Sequence, residues 1–329
     1  MSHFSVCVIV PHDKLENTVG RGLEEALCGI LAPYDEGTEE PAYLTFHDKT
    51  EEMRCEYENE KVTAVRFADG ALHHPYDPAF SKRFMIRDGQ VVERDPKNPS
   101  KYTVTDECRR FTLVPNYPRK GLCSFEEYCE DEGYRKCGDR WGYYSNPDAK
   151  WDWWTVGGRF SKQLLVGNDV TDYYVADKKV GEAPEGFKFA DAAQMQDIAW
   201  DTMKNAKTAS VEKEYDRLSK AFETQDVSAL GPIAHWTEDG IISWGETIYE
   251  KGETLDDFKN RRGVLEEDRY AIQPYALVDR EGDWHGSGDM GWFAISMNDK
   301  PKRDWNNEIQ ACMSRAEPED VIIIVDCHI

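Results

Sequence analysis

No stretch of this 329-residue chain stays apolar over the roughly 18 positions that a membrane-crossing helix needs, so a helical integral membrane protein is not expected. Nor does Met1 open a cationic and then apolar leader, because strand-like sequence begins at once. The expectation is a cytoplasmic protein. Basic residues are scarce: 40 Lys and Arg against 63 Asp and Glu leave a formal charge of -23. Contact with a nucleic-acid backbone requires a cationic surface, so direct nucleic-acid binding is not expected. The acidity favours a protein with a basic surface as partner, or mimicry of a polyanion, although high charge also simply keeps a protein soluble.

Cofactor signatures are missing as well. The nine cysteines contain no CxxC, and Cys123, Cys129 and Cys137 stand too far apart for a zinc knuckle. Without a secretory signal, free thiols in a reducing compartment are expected. There is no GxxxxGK[ST] and no GxGxxG, so the motifs imply neither metal nor cofactor. No internal repeat is visible.

What is present centres on Ser145 to Phe160, SNPDAKWDWWTVGGRF. Three indoles in four residues have no use on a surface loop, since each ring brings about 150–250 Å² to hide. Alternation on an extended strand puts Trp151 and Trp153 on one face, Asp152 and Trp154 on the other. Gly157 and Gly158 then permit positive φ or close approach, and Arg159 supplies a cationic fork. Gly157-Gly158-Arg159 thus suits an anion nest in a tryptophan-lined pocket. The competing reading is a tight strand end with Arg159 stacked on a tryptophan.

Two further constellations carry chemistry. Gly282, Gly286, Gly288 and Gly291 surround His285, a loop able to approach a ligand. Asp283, His285 and Asp289 could gather a metal there, whereas alternating glycines also suit a strained hairpin connection. His3 and His328 lie on the two terminal strands. If those strands are neighbours, His3, Asp326 and His328 converge as an acid–base set, because Asp326 and His328 share one strand face. Cys327 faces the other way, and no companion motif supports it as a nucleophile. His73 and His74 diverge on extended backbone, so a shared metal is not expected.

The fold follows from the periodicities. His3 to Val10 is an apolar strand, followed by a helix with Leu15, Val19, Leu23, Leu27 and Leu31 on one face and a capping box from Asp13 to Glu16. Residues 70–120 read as a loop-rich excursion with many prolines. Ser124 with Glu127 and Thr254 with Asp257 start short helices, Asp191 to Phe222 predicts a long helix within a decoration at about 185–230, Asp239-Gly240 a hairpin, Trp292 to Met297 a strand, and Asp304 to Ala316 a helix with Trp305 inward. Val321 to Asp326 is apolar throughout and belongs at a sheet centre. The predicted class is α+β: one principal domain over 1–329, with a mixed, mainly antiparallel sheet flanked by helices and both termini as strands in it.

The combination of MSHFSVCVIV, LAPYDE, KWDWWTVGGRF, GDMGWF and a terminal VDCHI resembles a set of uncharacterised proteins found in phages, prophages and some bacterial chromosomes. The match is scattered over nearly the whole chain. It implies a mobile-element origin and cytoplasmic action, and no catalytic residues to carry over. Phe160 stands where that pattern has Trp as often. Two functions remain open: an acidic phage-type protein that binds a host defence or nucleic-acid-processing factor, or an enzyme or sequestering protein for a small phosphorylated or nucleotide-like ligand. In the second, the indoles stack a base, Arg159 holds phosphate, and His285 completes the pocket.

Overall fold

The computed structural model describes residues 3–15, 21–170, 183–291 and 295–329. Its contacts divide the chain into two compact units, Met1–Glu39 with Asp148–Ile329, and Glu40–Pro147. The chain is α+β, and both termini are strands of one sheet.

The first unit is built on that sheet. Its elements begin with β1 (His3–Val10), α1 (Arg21–Leu31), β2 (Trp153–Val156) and β3 (Ala192–Gln194). There follow α2 (Trp200–Thr224), β4 (Ala276–Val278), β5 (Trp284–Gly286), α3 (Lys302–Met313) and β6 (Val321–His328). The strands run in the order β2-β6-β1-β4-β5, and β3 also pairs with β6. β1 lies antiparallel to β6, with His3 opposite His328 and Val10 opposite Val321. It lies parallel to β4, with Cys7 opposite Leu277.

Both faces of the sheet are covered, which is why β1 and β6 read as apolar runs rather than alternations. Phe4, Val6, Val8, Ile323 and Val325 pack with Leu23, Leu27 and Leu31 of α1. Cys7, Ile9, Ile322 and Ile324 pack with Trp305, Ile309 and Met313 of α3. Each fully hidden isoleucine of β6 contributes about 1.5–3 kcal/mol, so the terminal strand is a main source of this unit's stability.

One expectation changes, and two fall partly outside the described residues. Leu15 joins the core of α1, but Glu16 and Val19 lie outside the described residues. The long helix starts at Trp200, not Asp191: Ala192–Gln194 instead takes the open ladder of β6, with Ala193 opposite Ile322. Tertiary pairing there overrides the helix propensity of two alanines. Trp292, Phe293 and Ala294, expected to begin a strand, lie outside the described residues, and Ser296–Met297 pairs with Asp289–Met290.

The second unit contains the expected excursion, but as sheet rather than loop. Leu72–His73, Lys61–Arg66 and Thr112–Pro118 form one three-stranded sheet, and Phe84–Arg87, Gln90–Asp95 and Asn98–Thr103 form another. Of the prolines that made this stretch look irregular, Pro99, Pro115 and Pro118 sit on edge strands, where a missing N–H costs no ladder bond, while Pro75 and Pro96 lie in turns and Pro78 starts the short helix Pro78–Ser81. Helix Phe125–Asp131 carries the expected Ser124–Glu127 capping box.

Candidate functional site

Period-two geometry sets the site. His3 and Ser5 of β1, Asp326 and His328 of β6, and Trp153 and Thr155 of β2 lie in register on the sheet face that α3 covers. This places a polar patch at the end of an otherwise apolar face. His3 Nδ1 lies 2.8 Å from Asp326 Oδ1, with both side chains nearly hidden from solvent. A carboxylate only accepts, so Nδ1 donates, and the ring's other nitrogen, Nε2, is left free of this bond. His328 makes a parallel pair, its Nδ1 2.6 Å from Asp152 Oδ1. The two imidazoles meet edge to face at 5.1 Å, and Trp153 stacks on His328 at 5.4 Å. Nε2 of His328 is buried and has no hydrogen-bond partner among the described residues.

The Gly-Gly-Arg segment closes around the carboxylates of this face. Arg159 N–H donates to Asp326 Oδ2 at 2.8 Å, and Lys162 N–H donates to Asp191 Oδ1 at 2.8 Å. Gly157 and Gly158 adopt φ of 67° and 53°. A Cβ on Gly157 would stand 2.4 Å from Asp191 Oδ2, and one on Gly158 2.4 Å from Asp326 Oδ2. Within the motif the Arg159 N–H goes to the protein's own Asp326 and the Gly157 N–H to the Ile324 carbonyl, while Asp191 is held by Lys162 just beyond it. The motif thereby fixes the carboxylate that orients His3.

Beside His3 a cavity of about 470 Å³ opens, walled by Ser5, Phe160, Tyr275, Lys302 and Trp305 among others. The Tyr275 hydroxyl lies 2.6 Å from Ser296 Oγ, which in turn donates to Asp299. Burial holds the Tyr275 pKa above its ordinary value, so it stays a neutral phenol. Lys302 has an exposed side chain and forms no ion pair among the described residues, whereas Lys300, also in the lining beside Asp299, is paired with Glu308.

The residues singled out from sequence therefore separate. His3, Asp326 and His328 come together, with Gly157, Gly158 and Trp153 around them. Trp151 and Trp154 do not share that face: both pack on the α1 side, Trp151 at 7% exposure. The alternation fails before Trp153 because β2 starts there, and Trp151 is held instead by backbone bonds to Tyr34 and Glu36. The Arg159 side chain is exposed and meets neither an aromatic ring nor a carboxylate among the described residues, so the expected stacking on a tryptophan is not formed. Cys327 faces α1, fully buried, and burial pushes its thiol pKa up, away from any nucleophilic role.

His285 belongs elsewhere. It sits on β5, four strand spacings or about 19 Å from β2 across the sheet. Asp283 and Asp289 do not gather on it. Its ring nitrogens lie 3.0 Å from Asp279 Oδ2 and 2.9 Å from Glu308 Oε1. Asp279, His285 and Cys312 bring their ligand atoms within 4.8 Å of one another, as a metal site would. The Arg315 guanidinium already stands there, 2.8 Å from Asp279 and 3.5 Å from Cys312 Sγ. Burial also raises the Cys312 pKa and keeps the thiol protonated. The cluster is an ion-pair node with its cation supplied by the chain.

Sequence reasoning missed Asp152, Asp279, Glu308, Tyr275 and Trp305. Only Asp152 had a signal, a carboxylate inside the tryptophan motif. No known protein family, no curated protein and no solved structure matches this chain.

Proposed function

We propose that the first unit binds a small ligand with a planar body and an anionic group, of the phosphorylated or nucleotide-like kind, and that His3 exchanges a proton with it. The observation that carries this reading is the Asp326–His3 pair, oriented through Nδ1 and bordering a cavity of about 470 Å³. A base held by a second group next to a space for substrate is the arrangement that proton transfer requires. Trp305, Phe160 and Tyr275 offer ring surfaces to a base, and Lys302 offers the counter-charge. His328, Asp152 and Trp153 hold the His3 ring from behind.

Titration calorimetry with adenosine 5′-monophosphate as probe is expected to give one saturable site. Lys302→Glu should weaken it by about tenfold, a loss of about 1.4 kcal/mol, without shifting the melting temperature. His3→Asn should preserve binding and remove any conversion of the nucleotide seen by chromatography. No saturable heat, or binding indifferent to Lys302, would sink the reading.

A second reading rests on Trp244. It is 81% exposed in the turn between Gly240–Ser243 and Glu246–Glu250, at φ 54°. A large side chain in the left-handed region costs about 1–2 kcal/mol. Such an outlier points to use rather than folding, here as an aromatic anchor for the basic host-protein partner that the -23 charge favours. Trp244→Asn is accordingly expected to stabilise the protein by about 0.5–1 kcal/mol in chemical denaturation. A destabilised variant would show that Trp244 serves the fold.

A further inference from the structure

The second unit holds a cleft of about 540 Å³ that neither reading above uses. Its floor is Arg119, only 3% exposed. Arg119 follows edge strand Thr112–Pro118, and its backbone N–H donates to the Glu60 carbonyl at 3.0 Å, where strand Lys61–Arg66 begins. The two side chains therefore start from neighbouring backbone positions and line the same cleft. The guanidinium lies 5.6 Å from the Tyr128 ring centroid, and its Nη2 donates to Asp131 at 2.9 Å. Its Nε and Nη1 have no partner among the described residues, and neither does Glu60 Oε2, although the half-buried Glu60 carboxylate also faces the Tyr128 phenol, whose pKa burial and then Glu60 hold up. Buried polar atoms left in this state are costly, and their presence in the lining of one cleft calls for a partner that satisfies both.

The surrounding charge decides what kind of partner. Glu60, Asp77, Glu127, Asp131 and Glu132 line the cleft, against one guanidinium and two histidines. His73 is spent on Asp77 at 2.8 Å, and burial, then the Arg119 charge, hold the His74 pKa below its ordinary value. A free anion would meet five carboxylates, and a cation would meet Arg119. A neutral group with an acceptor beside a donor meets neither objection: its carbonyl oxygen accepts hydrogen bonds from the Arg119 N–H groups, and its own N–H donates one to Glu60. Tyr76, 81% exposed at the rim, offers a face on which a flat ring can stack.

We propose that this cleft binds a neutral planar molecule carrying a carboxamide or lactam edge, with Arg119 and Glu60 reading that edge. Three probes of one size separate the possibilities: benzamide, benzoate and benzylamine. Saturation-transfer NMR on the full-length protein is expected to show saturable benzamide binding, with the other two at least about tenfold weaker. Glu60→Met, which keeps the side-chain length and removes the acceptor, should weaken benzamide by about tenfold at a melting temperature no lower than that of the native protein. Tyr76→Ala gives a second, exposed variant with no folding role and should also weaken it. Preference for benzoate would make the site one for anions, and preference for benzylamine one for cations. Either result, no saturable binding, or a Glu60→Met variant that binds as well as native, overturns the proposal.

Discussion

Replacing Gly158 with alanine is expected to cost about 2–4 kcal/mol of stability and to dismantle the His3–Asp326 pair. The left-handed backbone at φ 53° contributes about 1 kcal/mol for any residue with a Cβ. The larger part is steric. The new methyl would stand 2.4 Å from both Cβ and Oδ2 of Asp326, which is 2% exposed on a strand paired on both sides. Asp326 cannot retreat without pulling on its partners in β1 and β2, so overpacking adds about 1–3 kcal/mol. If the loop yields instead, Arg159 N–H leaves Oδ2, and the carboxylate loses the bond that holds it toward His3. Urea denaturation gives the stability, and the His3 ring resonances report whether Nδ1–H stays bonded. A loss under about 1 kcal/mol with an unchanged His3 signal would show that the glycine pair is not what fixes Asp326.

That site was legible to the extent that strand parity makes it so. Once two apolar terminal runs are taken as neighbours, His3, Asp326 and His328 fall on one face, and the sheet pairs them in that register. Asp152 was not legible, because its meeting with His328 depends on β2 docking against β6 across more than 160 positions of chain. The same limit hid the cavity: Tyr275 reaches β1 through the parallel pairing of β4 with it, and Trp305 through the packing of α3. Trp151 was misassigned because alternation holds only inside a strand, and β2 begins two residues later. Local signals fared better, as the Ser124–Glu127 and Thr254–Asp257 caps show, since a capping box needs only four consecutive residues. Nothing in sequence marks Arg119, whose burial comes from Tyr128 and from the edge strand before it.

At the far edge of the same sheet, removing the Asp279 carboxylate is expected to cost about 2–4 kcal/mol near neutral pH. Asp279 is 3% exposed and fully engaged. Oδ2 accepts from Arg315 at 2.8 Å and His285 at 3.0 Å, and Oδ1 accepts the backbone N–H of Glu281 and Asp283. Asp279→Ala leaves two backbone donors and one face of His285 without partners; the loss stays below that of a wholly buried pair because Arg315 is about half exposed. The same network predicts an acid limb. Burial pushes the Asp279 pKa up, but the hydrogen bonds from His285, Asp283 and Arg315 more than offset it and leave it below its ordinary 3.8. Glu308 follows suit: burial raises it, and Lys300 and His285 bring it below 4.5. A depressed carboxylate stabilises the fold above its unfolded pKa and loses that contribution as pH falls through the native value. Between about pH 6 and about pH 2, the native urea midpoint should therefore fall more steeply than that of Asp279→Asn, which has no charge there to lose. Parallel curves would mean that Asp279 titrates alike folded and unfolded, and that His285 and Arg315 hold it by shape alone.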